Sequence, residues 1–362
     1  GDVLITTDYG NLENCIQQLY EKAGVNSEDA RRQAENLVSC EAKGIWSHGV
    51  GLAKRHLEDV VAGKINLTPN ITVTRESAST AMIDGDNGLG TAVAVFAVKY
   101  AIEKAKKTGC ASIGVTGGNH FGAGQYFAEL AIAENMIIYI YTTGDATMVP
   151  FGGTKKYFGT NPYTYGAPAG KYPPYILDMA TTLGAARKVQ QCQMDGLPAP
   201  EGWGIDKYGN PTTDPQKILG EGAMLPFGGP KGFGIAGMVD IMGGVLNGSA
   251  YRDDICCMPV GSRKVNNGYF VQVIDIASFI DPKEFNRRME IFAKDVCSNP
   301  PAPGFKEVFY PGYKNGRDRE NAMKNGLLLN DTVIKSLEQT AALVNVKPSG
   351  VLELLQGGVS IA

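Results

Sequence analysis

Three histidines occur in the chain, His48, His56 and His120, and two of them sit where a loop would present them. Imidazole gains or loses a proton near neutral pH more readily than other side chains, so a loop histidine is a candidate acid–base group. His48 lies in Lys43-Gly-Ile-Trp-Ser-His-Gly49, between two stretches of helical spacing and next to Ser47. His120 follows an apolar strand-like run and is surrounded by Gly117, Gly118, Gly122 and Gly124. Such a loop lets backbone approach a ligand closely. His56 falls within a helical stretch and is expected to be solvated. Asp178 ends the apolar run Tyr175-Ile-Leu177, and Asp145 follows the strand-like Met136 to Tyr141. An acid there orients a histidine, binds a ribose hydroxyl or, more commonly, caps the next helix. No G-x-S-x-G elbow, H-E-x-x-H pair or phosphate-binding P-loop is present. The residues point to proton transfer in an α/β enzyme with two histidines in one site.

Those groups must be held by elements that the spacing outlines. Helices are predicted over Asp8 to Lys22, from a Ser27 cap to about Ala42, and from about Gly51 to Ala62. After Thr68-Pro-Asn70 the texture alternates. Strands are predicted at Ile71 to Thr74, Ala81 to Ile83, Cys110 to Val115 and Met136 to Tyr141. Helices lie between them at Thr91 to Lys107 and up to about Glu134. The region from Thr142 to Pro230 is rich in Gly and Pro, with short strands at Tyr163 to Tyr165 and Tyr175 to Leu177. A helix over Gly232 to Leu246 and a strand over Tyr269 to Ile276 follow. From Asp281 the chain is again helical, apart from a proline run and a short strand at Val308 to Tyr310. Two helical ends thus flank a mixed α/β middle.

At 362 residues the chain is long enough for two domains. It is 43% hydrophobic and 20% charged with a formal net charge of −3, the composition of a globular protein with no basic footprint for nucleic acid or an anionic membrane. No apolar run approaches the roughly 20 residues of a membrane span, and no signal peptide is recognisable at the start. The seven cysteines, scattered and without a Cys-x-x-Cys pair, are expected to be reduced, mostly buried thiols of a cytoplasmic protein. With so few clustered Cys and His, no structural zinc is expected and no metal ligand is assigned, which leaves open only a metal held by carboxylates.

Gly232-Phe-Gly-Ile-Ala-Gly237 is a literal G-x-G-x-x-G. The dinucleotide fingerprint also needs a strand directly before it and an acid at the end of the next strand. Leu225 to Lys231 is no strand, so these glycines are expected to serve tight helix packing, with Lys231 beside a helix N-terminus that suits an anion.

Several motifs together resemble the type-2 malate/L-lactate dehydrogenase family, nicotinamide-dependent oxidoreductases distinct from the Rossmann lactate dehydrogenases. They are Lys43-Gly-Ile-Trp-Ser-His-Gly-Val50, Gly118-Asn-His-Phe-Gly122, Val149-Pro-Phe-Gly-Gly153, Gly159-Thr-Asn-Pro162, Leu177-Asp-Met-Ala-Thr-Thr182 and Pro211-Thr-Thr-Asp-Pro215. Gly229-Pro-Lys-Gly232, Pro301-Ala-Pro-Gly304 and Tyr310-Pro-Gly312 complete the set. The texture is nearest to that of members acting on ureidoglycolate. The resemblance implies an α+β fold with a non-Rossmann cofactor domain on a largely antiparallel sheet (71–282). A helical domain would form from both chain ends (1–70 with 283–362). It implies a homodimer and a small-molecule substrate, with NAD as cofactor and NADP as the alternative.

Carried over residue by residue, His48 and His120 serve proton transfer and substrate orientation, with Asp178 in the catalytic set. Ser47, Leu52 and Lys188 fall at substrate positions. Gly144, Asp145, Thr160, Asn161, Asp178, Met179, Ala180 and Thr181 fall along the cofactor. So do Pro230, Lys231 and Gly232, and Gly312, Tyr313 and Lys314 near its adenosine end. Leu52 stands where many members carry an arginine facing the substrate carboxylate, and His56 stands where tyrosine is frequent. Leucine cannot replace a bidentate arginine. Lys54 and Arg55 point away on a helix, whereas Arg187 and Lys188 are better placed. The resemblance therefore implies a 2-hydroxy or 2-oxo acid bulkier or more apolar than malate or lactate. A cyclic imine reductase and a non-catalytic ligand-binding descendant are the alternatives.

Overall fold

Asp8 accepts the N–H groups of Gly10 and Asn11 and starts the helix Tyr9–Lys22. Its face of Leu12, Cys15, Ile16, Leu19 and Tyr20 is buried, with an apolar contribution on the order of 1.5–3 kcal/mol for each large side chain. The helix Ser27–Ala42 has the expected bounds, but its cap is Asn26, whose side chain accepts from Asp29 N–H. The helix Leu52–Val61 follows. These helices share one core with Ile334, Leu337, Ala341, Val351 and Leu354 from the far end of the chain. The strands Ile5–Thr7 and Leu327–Leu329 pair antiparallel and join the two ends directly. The structure, a computed structural model, describes residues 4–360. Residues 1–3 and 361–362 of the expected helical region lie outside the described residues.

A seven-stranded sheet forms the second body. Its strands run in the spatial order Thr72–Glu76, Thr80–Gly88, Cys110–Gly118, Gly268–Asp275, Met136–Thr142, Tyr163–Ala167, Tyr175–Met179. One neighbouring pair is parallel, Thr80–Gly88 with Cys110–Gly118, because the helix Gly90–Thr108 carries the chain back between them. Every other neighbouring pair in this sheet is antiparallel. The largely antiparallel α+β architecture is thus the observed one. The core beneath the sheet joins Ile83, Ile113, Val115, Ile138 and Val273 to Val93, Ala97 and Phe127 of the covering helices.

Several elements differ from the sequence reading. Val308 to Tyr310 forms no strand; the Tyr310 ring stacks on Tyr175 at 5.9 Å and its hydroxyl donates to Pro173 O. The helix after the glycine-rich loop begins at Pro230, ends at Asp240 and continues as a wider turn over Ile241–Val245. No strand directly precedes it: residues 225–229 carry none, in keeping with a non-Rossmann cofactor region. Tight packing holds at Gly232, where a Cβ would lie 2.3 Å from Phe227 O, but Gly234 has open space around it. The seven cysteines are all unpaired; Cys15, Cys40 and Cys256 are buried and Cys110 is exposed. Among the described residues no helix is long and apolar enough to cross a membrane.

Candidate active site

The turn that carries His48 is fixed by a carboxylate one helix back. Glu41 Oε2 accepts the N–H of Val50 at 3.0 Å. A Cβ on Gly49 would lie 2.0 Å from that oxygen, so glycine alone lets the turn tuck against Glu41. The short 3₁₀ turn Trp46–His48 results, and Ser47 Oγ lies 2.9 Å from His48 Nδ1. Leu52 opens the next helix and is buried with its side chain in the site wall.

His120 is placed by the end of the strand Cys110–Gly118. Asn119 Nδ2 donates to Gly88 O at 2.8 Å and to Asn87 O at 3.0 Å, anchoring the loop to the neighbouring strand. Gly122 has φ +83°, a left-handed turn open to glycine, and its N–H donates to His120 Nδ1 at 3.3 Å. The His120 ring lies 6.0 Å from that of His48, nearly parallel, and 5.5 Å from that of His56. The expectation that His56 is solvated is incorrect: it is 4% exposed. Leu52, Ala53, His56, Leu57 and Val60 form the buried face of their helix, and that repeat is the sequence signal for it. Arg55 faces away, pairing with Asp59 at 2.7 Å and donating to Pro259 O.

Asp178 is not a helix cap. It lies within the strand Tyr175–Met179, opposite Thr164. Its carboxylate accepts Thr164 Oγ1 at 3.0 Å and the backbone and side-chain N–H groups of Gln125 at 3.3 and 3.4 Å. Burial lowers the pKa of His48, the Asp178 carboxylate raises it and Arg187 lowers it, for a net downward shift. Burial drives His120 well below its ordinary value and His56 down to about 3. All three rings are therefore held toward the neutral form.

These groups open on a cleft of about 1160 Å³. Ser47, His48, Leu52, His120 and Asp178 line it, together with Gly144, Asp145, Thr160, Met179, Ala180 and Gly312. Asn161 and Thr181 are fully buried behind this wall. Asn161 Oδ1 accepts Gly144 N–H at 3.3 Å while its Nδ2 donates to Asp240, and Thr181 Oγ1 donates to Thr160 O. Both thus hold cleft-lining backbone in place. Asp145 accepts Cys257 N–H at 3.0 Å and its thiol at 3.2 Å. Pro230, Lys231 and Gly232 are not in the cleft wall; Gly228 and Gly229 beside them line a separate cavity of about 520 Å³. Tyr313 packs under Arg317, and Lys314 pairs with Asp318 at 2.8 Å. Lys188 Nζ sits over the Trp203 ring at 5.3 Å, whereas Arg187 lines the cleft.

Gln125, Thr164 and Asn267 also belong to the wall and were not singled out by sequence, since nothing in their local pattern marks them. Asn267 Oδ1 is buried without a hydrogen-bond partner. An orphaned amide oxygen in a cleft wall calls for a ligand donor, and a carboxamide such as that of nicotinamide supplies one. The residues present fit the cofactor on that ground. Among the described residues no group of three or more His, Cys, Asp or Glu is arranged to hold a metal ion.

The family described as malate/L-lactate dehydrogenase matches residues 7–338. The chain is 35% identical over 343 residues to a malate dehydrogenase of Pyrococcus horikoshii, covering 93% of this chain and 94% of that protein. It is 32% identical over 327 residues to the ureidoglycolate dehydrogenase (NAD(+)) of Escherichia coli K12, covering 90% and 93%. The solved sulfolactate dehydrogenase of Methanocaldococcus jannaschii superposes with a TM-score of 0.86 at 32% identity, over 95% of this chain and 99% of that one.

Proposed function

The chain belongs to the malate/L-lactate dehydrogenase family, and on that premise we propose that it is a nicotinamide-dependent oxidoreductase of a 2-hydroxy or 2-oxo acid, with His48 and His120 in proton transfer and substrate orientation. The observation that carries this reading is the meeting of both rings with Asp178 in one cleft that also holds Gly144, Asp145 and the segment Asp178 to Ala180. A nicotinamide held in this cleft would supply a hydride acceptor for the substrate carbon. The hydroxyl proton needs a base within hydrogen-bond reach, a role worth about 10²–10⁴-fold in rate. His48 suits it, since the Asp178 carboxylate favours the imidazolium that forms. Asp178 itself stays ordered by Thr164 and Gln125.

Leu52 removes a cation from the substrate end, and Arg187, in the cleft wall, is the replacement we assign to the substrate carboxylate in preference to Lys188. NAD is favoured over NADP because Lys314, which would pair with a 2′-phosphate, is engaged by Asp318. We further assign a helical part, residues 1–70 with 283–362, and a cofactor-binding part, residues 71–282, supported by the two separate cores. Exposed large side chains such as Phe151 and Leu183 beside the second cavity fit a homodimer, and seven unpaired thiols fit the cytoplasm.

The test is consumption of NADH and of NADPH by the purified protein with a panel of 2-oxo acids and cyclic imines, followed by nicotinamide absorbance. The expected result is turnover of 2-oxo acids bulkier than oxaloacetate or pyruvate, with NADH preferred. Turnover of cyclic imines alone moves the assignment to an imine reductase, and turnover of neither overturns the enzyme reading.

A further inference from the structure

Three histidine rings meet beside the cleft, two from the helical end of the chain and one from the loop after the strand Cys110–Gly118, and the proposed reaction uses two of them. The third, His56, meets groups whose hydrogen-bonding roles constrain its tautomer. Tyr20 Oη and Gln33 Nε2 each lie 3.3 Å from its Nδ1. An amide nitrogen only donates, so His56 Nδ1 is the acceptor and the ring proton sits on Nε2; the phenol, able to act either way, then donates to the same Nδ1. That Nε2 lies 3.3 Å from His120 Nδ1. From the other side the Gly122 backbone N–H, which has no choice but to donate, also meets His120 Nδ1 at 3.3 Å. Both ends of the chain of contacts require the same tautomer: His120 Nδ1 is bare and its proton is on Nε2.

We infer that His56 is a positioning residue that locks His120 as an Nε2–H hydrogen-bond donor toward substrate, so that the exchanged proton belongs to His48. The division of roles rests on the function proposed above; the tautomer rests on the contacts alone. The row of rings is a clamp and not a proton wire. For His120 to release its Nε2 proton and stay neutral, His56 would have to pass on its own proton and recover one from Tyr20. Tyr20 is fully buried, and burial raises its pKa far above the ordinary range. The charges that reach His56 and His120, from Arg55, Arg187 and His48, all oppose a cation there. His48 differs: its Nδ1 faces Ser47 Oγ, which accepts as readily as it donates, and the Asp178 carboxylate in the same cleft favours its charged form. During oxidation the two electrons leave as hydride to the nicotinamide, the hydroxyl proton goes to His48, and the His120 N–H remains on the oxygen as the carbonyl forms. A neutral imidazole used as an electrophile in this way has precedent in enzyme chemistry.

The test uses the full chain labelled with ¹⁵N. With three histidines, two-bond ¹H–¹⁵N spectra resolve every ring, assigned by His48→Gln and His56→Gln. The expected result is His56 and His120 neutral with Nε2–H throughout about pH 5–8, the range in which an ordinary histidine titrates. A His120 that carries Nδ1–H, or that titrates within this range, overturns the inference. Kinetics supply a second reading: His56→Phe should lower kcat about tenfold with KM within about threefold, leave the acid limb of the pH–rate profile in place, and be largely rescued by His56→Gln. A His56→Phe enzyme with wild-type kcat, or with a displaced acid limb, contradicts the positioning role. The spectra need no substrate, so failure to turn over any 2-oxo acid overturns the functional reading while the spectra still decide the clamp.

Discussion

The two walls of the cleft solve opposite problems. The helical wall presents His48 and Leu52, backed by His56, and meets His120 from the loop that follows the strand Cys110–Gly118; burial disfavours the charged form of all three imidazoles. The sheet wall presents Asp178, whose charge is kept in place by three donors from Thr164 and Gln125. The imidazole cluster is neutral and directional, whereas Asp178 offers a carboxylate. His48 is the ring that feels both, pushed down by burial and pulled up by Asp178. A group that changes protonation during turnover needs such opposed influences, whereas a fixed donor needs only burial and hydrogen bonds.

The sharpest way to break this contrast is His48→Ala. Turnover at saturating substrate should fall about 10²-fold or more, with folding and cofactor binding retained. Circular dichroism and cofactor titration check the latter, and near-normal turnover would remove His48 from its role. Asp178→Asn comes next. It deletes the anion that raises the His48 pKa, so that pKa falls further and the acid limb of the oxidation profile moves to lower pH. Turnover drops about tenfold as the imidazolium loses its partner, on the order of 1.4 kcal/mol. An acid limb that stays put would show that the two walls do not communicate.

Neutral burial also has a cost in acid, which sharpens the picture of the helical wall. His56 is held at about 3 in the folded state, against an ordinary value near 6.5 when unfolded. Its folded pKa is depressed, so below about 6.5 the unfolded chain binds a proton that the folded one refuses. Stability is full above that value and falls with pH down to the folded value, by about 1.4 kcal/mol per pH unit for this ring. Urea midpoints at pH 7 and pH 5 should separate accordingly, and His56→Gln should narrow the gap by roughly 2 kcal/mol. An unchanged gap in that variant would mean that His56 is charged in the fold.

Much of this was legible in the sequence, and the gaps have physical reasons. The helix Ser27–Ala42 was readable because its apolar face repeats at helical spacing over four turns. The antiparallel sheet and the loop placement of His48 and His120 followed from motifs taken together. The pairing of Ile5–Thr7 with Leu327–Leu329 was not readable, since three residues carry no period and the partners are far apart in the chain. The two-residue strands Gly204–Ile205, Pro211–Thr212 and Ala223–Met224 are equally silent. His56 was misplaced because a polar residue in a helix was assigned to water, although its neighbours Ala53, Leu57 and Val60 lie on the buried side. Gln125 and Asn267 reach the cleft only through tertiary packing, which no local pattern records.

The smallest expected effect tests whether the helical wall must stay uncharged. Leu52 lies one helical turn before His56, on the same buried face and in the cleft wall. An arginine there would face the cleft and restore a bidentate partner for a carboxylate, but it would also add a cation beside rings already held neutral. Leu52→Arg should therefore raise kcat/KM for malate relative to a branched 2-hydroxy acid by roughly fivefold, about 1 kcal/mol. The gain is smaller than a free arginine–carboxylate pair would give, because Arg187 already serves the same cleft and desolvating a guanidinium offsets part of the attraction. Wild-type protein should be slow on both malate and lactate. Steady-state kinetics of the two proteins on all three acids decide the matter: robust wild-type malate activity would show that a neutral helical wall does not exclude a dicarboxylate. A Leu52→Arg enzyme with unchanged selectivity would place the substrate carboxylate on the Arg187 side of the cleft alone.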